Sequence, residues 1–313
     1  MPRAAAAAET TDPASDGWPT RPVTLVVPFV PGGPADVVAR LLAEPFQARH
    51  GQPLVLEYKP GAGTIVGTQF VAHAAPDGYT LGLAVSALQI NPGLEPRLPY
   101  DTLRDLRGVS QIAYAHFGLF ANPALGIDDL PGLIAYARRH KGPLAYATPG
   151  IGTGPHLAGV LLARRTGIDL LHVPYRGSAP AQQDVVAGRV PLLVDVLFAA
   201  WPLVREGRLK ALALASPHRS SAHPELPLIA DTLPGFSAMS TIGVIAPAAL
   251  PRERLRRIGA ALAAAVHADG LGRALRGLGM EPVGSTPDEY DALIRGEIAR
   301  WTELIRRAGI TPG

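Results

Sequence analysis

VTLVVPFVPGGPADVVAR, residues 23–40, changes from a strand pattern to a helical one across the turn Pro31, Gly32, Gly33. Val23 to Phe29 is an apolar, β-branched run of the kind that forms a strand buried on both faces. Beyond the turn, Val37, Val38, Leu41, Leu42 and Phe46 fall on one helical face. Asp36 sits in the first turn, where a carboxylate suits the positive end of the helix dipole. The plan then repeats: a strand over 54–58, the loop KPGAG at 59–63, a helix over 64–75, the turn PDG at 76–78 and a strand over 79–85. Strand, glycine-rich loop, helix and strand in succession predict an α/β layer on a mostly parallel sheet.

The middle of the chain carries a second α/β set. Asp129 caps a helix that runs to His140 and stops at Gly142, a strand over 144–147 enters TPGIGTG, and a helix follows over 156–165. A strand over 170–174 then enters YRGSAP; a helix over 179–187 and strands over 190–196 and 209–215 complete the set. The loops fall at the carboxyl ends of strands, where open α/β sheets place ligands. After Pro217 the chain loosens, forms an apolar stretch over 241–246, and finishes in helices near 251–266, 269–278 and 287–308. Tyr290, Leu293, Ile294, Ile298, Trp301, Leu304 and Ile305 make a stripe on the last helix that reads as core packing.

At 313 residues the chain has room for about two domains of roughly 150. Hydrophobic residues at 47% and charged ones at 18% exclude wholesale disorder. The 34 Gly and 32 Pro call for many tight turns. A net charge of +3 with scattered arginines gives no stripe for nucleic acid, and the basic run Arg252 to Arg257 reads as a solvated helix face. Without cysteine there are no disulfides, thiolate nucleophiles or Cys-ligated metals. The longest uncharged stretches, 142–163 and 232–251, are broken by Gly and Pro and fall short of the roughly 18 apolar residues a span needs. No membrane-embedded segment is expected. Residues 1–17 have no Leu-rich region behind a basic start, so a disordered lead-in is expected there rather than an intact secretory signal.

GAGTIVG at 61–67 imitates a dinucleotide fingerprint, but the next strand ends in Ala84, Val85 and Ser86 with no acid before Glu95 to hold a ribose. GIGTG at 150–154 lacks the GK[ST] of a P-loop. What remains is three glycine-rich segments, 31–33, 61–63 and 150–154, each at an expected helix N-terminus and able to offer N–H groups to an anion. His218 and His223, five apart in a Pro-containing loop, do not form a metal motif, and His172 reads as a satisfied, partly buried histidine. No GxSxG elbow or Ser, His and acid set stands out, so neither cofactor, metal nor catalysis is expected. Asp195, inside LLVDVLF, is costly to bury unpaired. Either a backbone amide or an Arg satisfies it, or it faces a cleft and meets a ligand donor.

In order, VTLVVPFVPGGPADVVAR, PGAG, PDGYTL, LPYD, HLAG, HVPYRGSAPA, GR ahead of ALALAS and HR, APAALP and EPVGSTPDEY resemble the Bug-type extracytoplasmic solute-binding proteins of tripartite tricarboxylate transporters. The resemblance runs from Trp18 to Pro312. It implies a type II periplasmic binding protein fold, an α/β architecture of two lobes joined by crossing strands with a ligand cleft between them. Residues 18–120 and 223–313 are then the first lobe and 121–222 the second. In that family main-chain amides and ordered waters, rather than an Arg clamp, typically hold the ligand carboxylate. Mapped here, the first lobe contributes Phe29, Pro31, Gly32, Gly33, Ala35, Asp36 and Ser86. The second contributes Thr148, Gly150, Gly152, Thr153 and His156, then Tyr175, Arg176, Gly177 and Ser178, and Asp195.

There are departures from the family pattern. Tyr58 stands where Asn is usual, Arg176 replaces Lys, and Pro149 and Pro155 remove two N–H donors beside the GIGTG loop. The implied function is a monomeric periplasmic receptor that delivers a small carboxylate, whether organic acid, amino acid or aromatic acid, to a membrane permease. The alternatives are a ligand sensor for a membrane kinase and an enzyme on a similar two-lobed scaffold. Should Asp195 face the cleft, ligands with an amine or hydroxyl are favoured over bare diacids.

Overall fold

The computed structural model describes residues 17–311, so the lead-in expected over 1–17 lies, apart from Gly17, outside the described residues. The opening run forms β1 (Val23–Val27), followed by α1 (Pro34–His50), β2 (Leu54–Tyr58), a 3-10 turn at Ala62–Thr64, α2 (Ile65–Ala72) and β3 (Thr80–Val85). Then come α3 (Ala87–Leu94), α4 (Thr102–Asp105) and the long β4 (Leu106–Ala121). The second set is α5 (Leu130–Arg139), β5 (Leu144–Thr148), α6 (Gly154–Thr166), β6 (Leu170–Pro174), α7 (Ser178–Val186), β7 (Leu192–Val196), α8 (Leu197–Arg205), β8 (Lys210–Leu214) and α9 (Ile229–Thr232). The chain returns through β9 (Met239–Pro247), α10 (Arg252–His267), α11 (Asp269–Gly277), β10 (Met280–Pro282) and α12 (Pro287–Ala308).

The sheet is parallel at its outer parts and antiparallel at its centre. β1 pairs in parallel with β2 and β3, and β5 with β6 and β7. Between these groups β4 runs antiparallel to β9 and β10 over its first part and to β7 and β8 over residues 117–121. A mostly parallel sheet therefore describes each group of outer strands but not the junction. There the chain crosses from one lobe to the other in β4 and comes back in β9, in the opposite direction. The result is a two-lobed α/β fold with one strand shared by both lobes.

The predicted strand run and helical stripe meet in one core: Val23, Leu25 and Val27 of β1 pack with Val38, Leu42 and Phe46 of α1 and with Ile258 and Leu262 of α10. In the second lobe, Leu193 and Leu197 pack with Val185 of α7 and Leu214 of β8, and Leu226 and Leu228 join them. The stripe on α12 divides between lobes. Tyr290 and Ile294 pack with Val26, Leu88 and Ile245 of the first lobe. Trp301 and Ile305 instead join Ile90 and Leu94 of α3 in a cluster with Phe117 of β4 and with Leu157 and Leu162 of the second. Thr286 and Glu289 start this helix with a capping box: the Glu289 carboxylate accepts the Thr286 N–H at 2.8 Å, and Thr286 Oγ1 accepts the Glu289 N–H at 3.3 Å.

Glycines let α12 lie close on the crossing strands. A Cβ at Gly243 of β9 would stand 2.4–2.5 Å from the Tyr290 ring and hydroxyl, and one at Gly108 of β4 would stand 2.9 Å from the same ring.

Candidate functional site

A cleft of about 610 Å³ opens between the lobes. Phe29, the 62–65 turn, residues 85–87, and Ile90, Asn91, Leu94 and Glu95 of the α3 segment form its first-lobe wall, with Ser240 beside them. Pro149, residues 151–155, Ser178 and Val196 face them from the second lobe, and Phe117 of β4 lies between. Five helices begin on this wall or one residue behind it: α2, α3, α6, α7 and α8. The first amides of a helix have no partner within it and carry its positive dipole end. No side chain caps α2, α3, α7 or α8. Among the described residues no Lys, Arg or His is on the wall. Its chemistry is that of neutral donors in an apolar setting with one acidic side chain, Glu95, which suits one carboxylate group held at the donors.

The turn before α2 adds to this. Gly61 and Gly63 have positive φ, and so do Ala62 (45°) and Thr64 (81°), a conformation that costs a non-glycine residue of order 1 kcal/mol or more. Asn91 helps to hold it: Nδ2 donates to the Gly63 carbonyl at 3.0 Å.

Of the residues expected at the site, Phe29, Ser86, Gly152, Thr153 and Ser178 are brought together on the wall. Ser86 Oγ accepts the Thr241 N–H at 3.1 Å, tying the start of α3 to β9. The turn Pro31, Gly32, Gly33 stands away from the wall, as do Ala35 and Asp36, both buried at the start of α1. Asp36 Oδ2 accepts the Gly32 N–H at 2.8 Å and Arg40 Nε at 3.1 Å, and Oδ1 accepts the Tyr58 hydroxyl at 2.6 Å. These partners, Tyr58 foremost, hold its carboxyl below the usual range. The tyrosine that departs from the family pattern thus has a partner in Asp36, and the Gly32 amide is taken up within the loop.

The second-lobe loops are built from behind in the same way. Gly152 N–H donates to His156 Nδ1 at 3.1 Å, and Thr153 Oγ1 donates to the Gly150 carbonyl at 2.8 Å. Thr148, fully buried, shares a 2.6 Å hydrogen bond with His172 Nε2. The His156 and His172 rings stack at 3.9 Å, and burial pushes both down to about 4, His172 adding to the effect on His156. Gly177 N–H donates to the Pro149 carbonyl at 2.9 Å, joining the two loops, and the Tyr175 hydroxyl donates to Asp184 at 2.6 Å. Arg176 points to solvent and is off the wall.

Asp195 is fully buried behind Ser178 and Val196. It accepts the Ser178 hydroxyl at 2.9 Å, Gln182 Nε2 at 2.9 Å and the Val196 N–H at 2.8 Å. A backbone amide with two neutral side chains satisfies it, not an Arg, and it is off the cleft wall. The preference for amines and hydroxyls that depended on its facing the cleft therefore has no basis in Asp195. Burial raises its pKa.

Phe117, Asn91, Leu94, Glu95 and Ser240 are wall residues that the sequence pattern did not single out. Glycine richness marked the 61–63 loop, but nothing local marks positions that reach the cleft through the crossing strands and α3.

A serine, a histidine and an acid do meet elsewhere. His116 on β4 hydrogen-bonds Ser216 through Nδ1 and Glu281 through Nε2, the latter at 3.2 Å. Both His116 and Ser216 are fully buried, and neither borders the cleft. Ser216 follows β8 and Glu281 belongs to β10, so the cluster joins the lobes where β4 passes between them. Among the described residues no group of three His, Asp or Glu could hold a metal, and no helix is long and apolar enough to cross a membrane.

The family model described as the tripartite tricarboxylate transporter family receptor, TctC, matches residues 38–310. Protein BugT of Bordetella pertussis is 36% identical over 298 residues, covering 94% of this chain and 91% of BugT. Among solved structures, R. palustris Rpa4515 with adipate is 34% identical with a TM-score of 0.84, covering 95% of this chain and all of that one (100%). MatC of Rhodopseudomonas palustris with bound malate is 33% identical with a TM-score of 0.77, covering 92% and 100%.

Proposed function

Because the chain belongs to the tripartite tricarboxylate transporter receptor family, whose Bug-type members are solute-binding receptors, we propose that it captures a small carboxylate between its lobes and delivers it to the membrane permease of such a transporter. The observation that carries this reading is the meeting of uncapped helix N-termini from both lobes on a cleft that, among the described residues, has no cationic side chain. Adipate and malate in two related structures support a carboxylate as the ligand. A carboxylate held by amides of both lobes binds the closed arrangement better than the open one and shifts the population toward it. No bond in the ligand is made or broken. Ser86, Thr153 and Ser178 are the polar side chains we assign to the ligand, with Phe29 and Phe117 against its body. Relatives described as periplasmic support the same compartment for this receptor.

The test is a thermal-unfolding screen of mono- and dicarboxylates followed by recovery of the ligand. A cognate acid at 100 times its Kd adds about 2.7 kcal/mol and is recovered unchanged. Consumption of the acid, or no stabilisation by any carboxylate, would overturn the reading.

A further inference from the structure

Among the described residues, one on the wall of the cleft is charged. Glu95 follows the last residue of α3, half-buried, and its carboxylate has no hydrogen bond or ion pair to any described residue. Its position sets it apart from the free donors. α3 has eight residues and spans about 12 Å. Its uncapped start at Ser86 is therefore far from Glu95, while its carbonyl end, which is partly negative, is beside it. The second-lobe loop at Gly152 lies against Leu94, the residue before it: a Cβ at Gly152 would stand 2.2 Å from Leu94 Cδ2. Two of the donors there are taken, Gly152 N–H by His156 and His156 N–H by Thr153 Oγ1, and α6 is the one helix starting on the wall whose first turn a side chain caps. Ile90, Leu94, Phe117 and Ile151 supply apolar wall around this end.

We propose that Glu95 is a specificity-determining residue that limits the ligand to acids with a single carboxylate and an apolar body, by repelling a second carboxylate. This rests on the carboxylate-receptor reading and narrows it. An acid anchored by the free amides extends along α3 toward Glu95. A second carboxylate at that end meets a fixed like charge with no cation to offset it, in a cleft that screens charge less than water does. A methyl or methylene end meets only apolar wall.

Three six-carbon acids of equal length test this: hexanoate, adipate and 6-aminohexanoate, titrated calorimetrically against the wild-type protein and Glu95→Gln at pH 7. Hexanoate is expected to bind the wild type at least tenfold more tightly than adipate, and the ratio falls below threefold in Glu95→Gln. The amine-ended acid separates charge from polarity: it escapes the penalty adipate suffers in the wild type, and its advantage over adipate shrinks in the variant. Adipate binding the wild type as tightly as hexanoate would overturn the proposal. So would a hexanoate-to-adipate ratio that persists in Glu95→Gln, or rejection of 6-aminohexanoate alongside adipate. Failure of hexanoate to bind the wild type at millimolar concentration would overturn the proposal while leaving carboxylate capture standing; only the absence of stabilisation by every acid in the thermal screen would overturn carboxylate capture itself.

Discussion

Asp195 keeps a carboxylate in the interior with only neutral donors around it, and its job is to fix Ser178, which lines the cleft. Replacing it with Asn puts an amide N–H₂ against at least one group that donates to the carboxylate, and removes a charge-assisted bond. Asp195→Asn is expected to cost about 1–3 kcal/mol in urea unfolding. It leaves the order of preference among ligands unchanged, as calorimetry can check; a reordered series would place this side chain in contact with solute. The histidine pair makes stability pH-dependent. His156 and His172 sit near 4 when folded, against an ordinary value of 6.5. Between those values the unfolded chain binds protons that the native rings refuse, so the pair's contribution to stability falls as pH drops from about 6.5 toward 4 and is constant below. His156, the more buried of the two, contributes about 3 kcal/mol of that loss, and His172, more exposed, contributes less. Melting temperatures between pH 7 and 4.5 should show the decline, and His156→Gln should flatten it.

At the scale of elements, the contact between α12 and the crossing strands depends on missing side chains. Gly243→Ala drives a methyl into the Tyr290 ring and is expected to cost about 1–3 kcal/mol. Gly33→Ala is the contrast. Nothing lies within 4 Å of its added Cβ and φ is −88°, so urea unfolding should move by no more than about 0.5 kcal/mol. Strands and helices made from local patterns were legible beforehand: β1, α1 and the stripe on α12 follow from residue spacing alone. The expected helix over 64–75 is shorter, as α2, because positive φ at Thr64 delays its start and a turn at His73 ends it. β4 was not legible. Its buried polar residues Ser110, Gln111 and His116 interrupt any apolar run, and their partners lie 100 or more residues away, in Ser285, Ser216 and Glu281. The cleft divides along the same line. Glycine-rich loops announced its donors, whereas Asn91, Glu95 and Ser240 reach it only through topology.

Across the whole molecule, α12 starts in one lobe and ends packed on the other. Trp301 is almost fully buried among Ile90, Leu94, Leu157 and Ala158. Trp301→Ala is expected to lower stability by about 3–5 kcal/mol. It should also loosen one lobe from the other, read as faster amide exchange in α3 and α6 than in β1; uniform protection across all three would count against that coupling. The same helix has a bearing on how the halves part. With Trp301 and Ile305 sewn into the far half, the molecule is hemmed along one margin, like a purse closed at its side. Any parting of the halves has to carry that seam with it, because opening at Trp301 and Ile305 would bare the side chains that Ile90, Leu94 and Leu157 now cover.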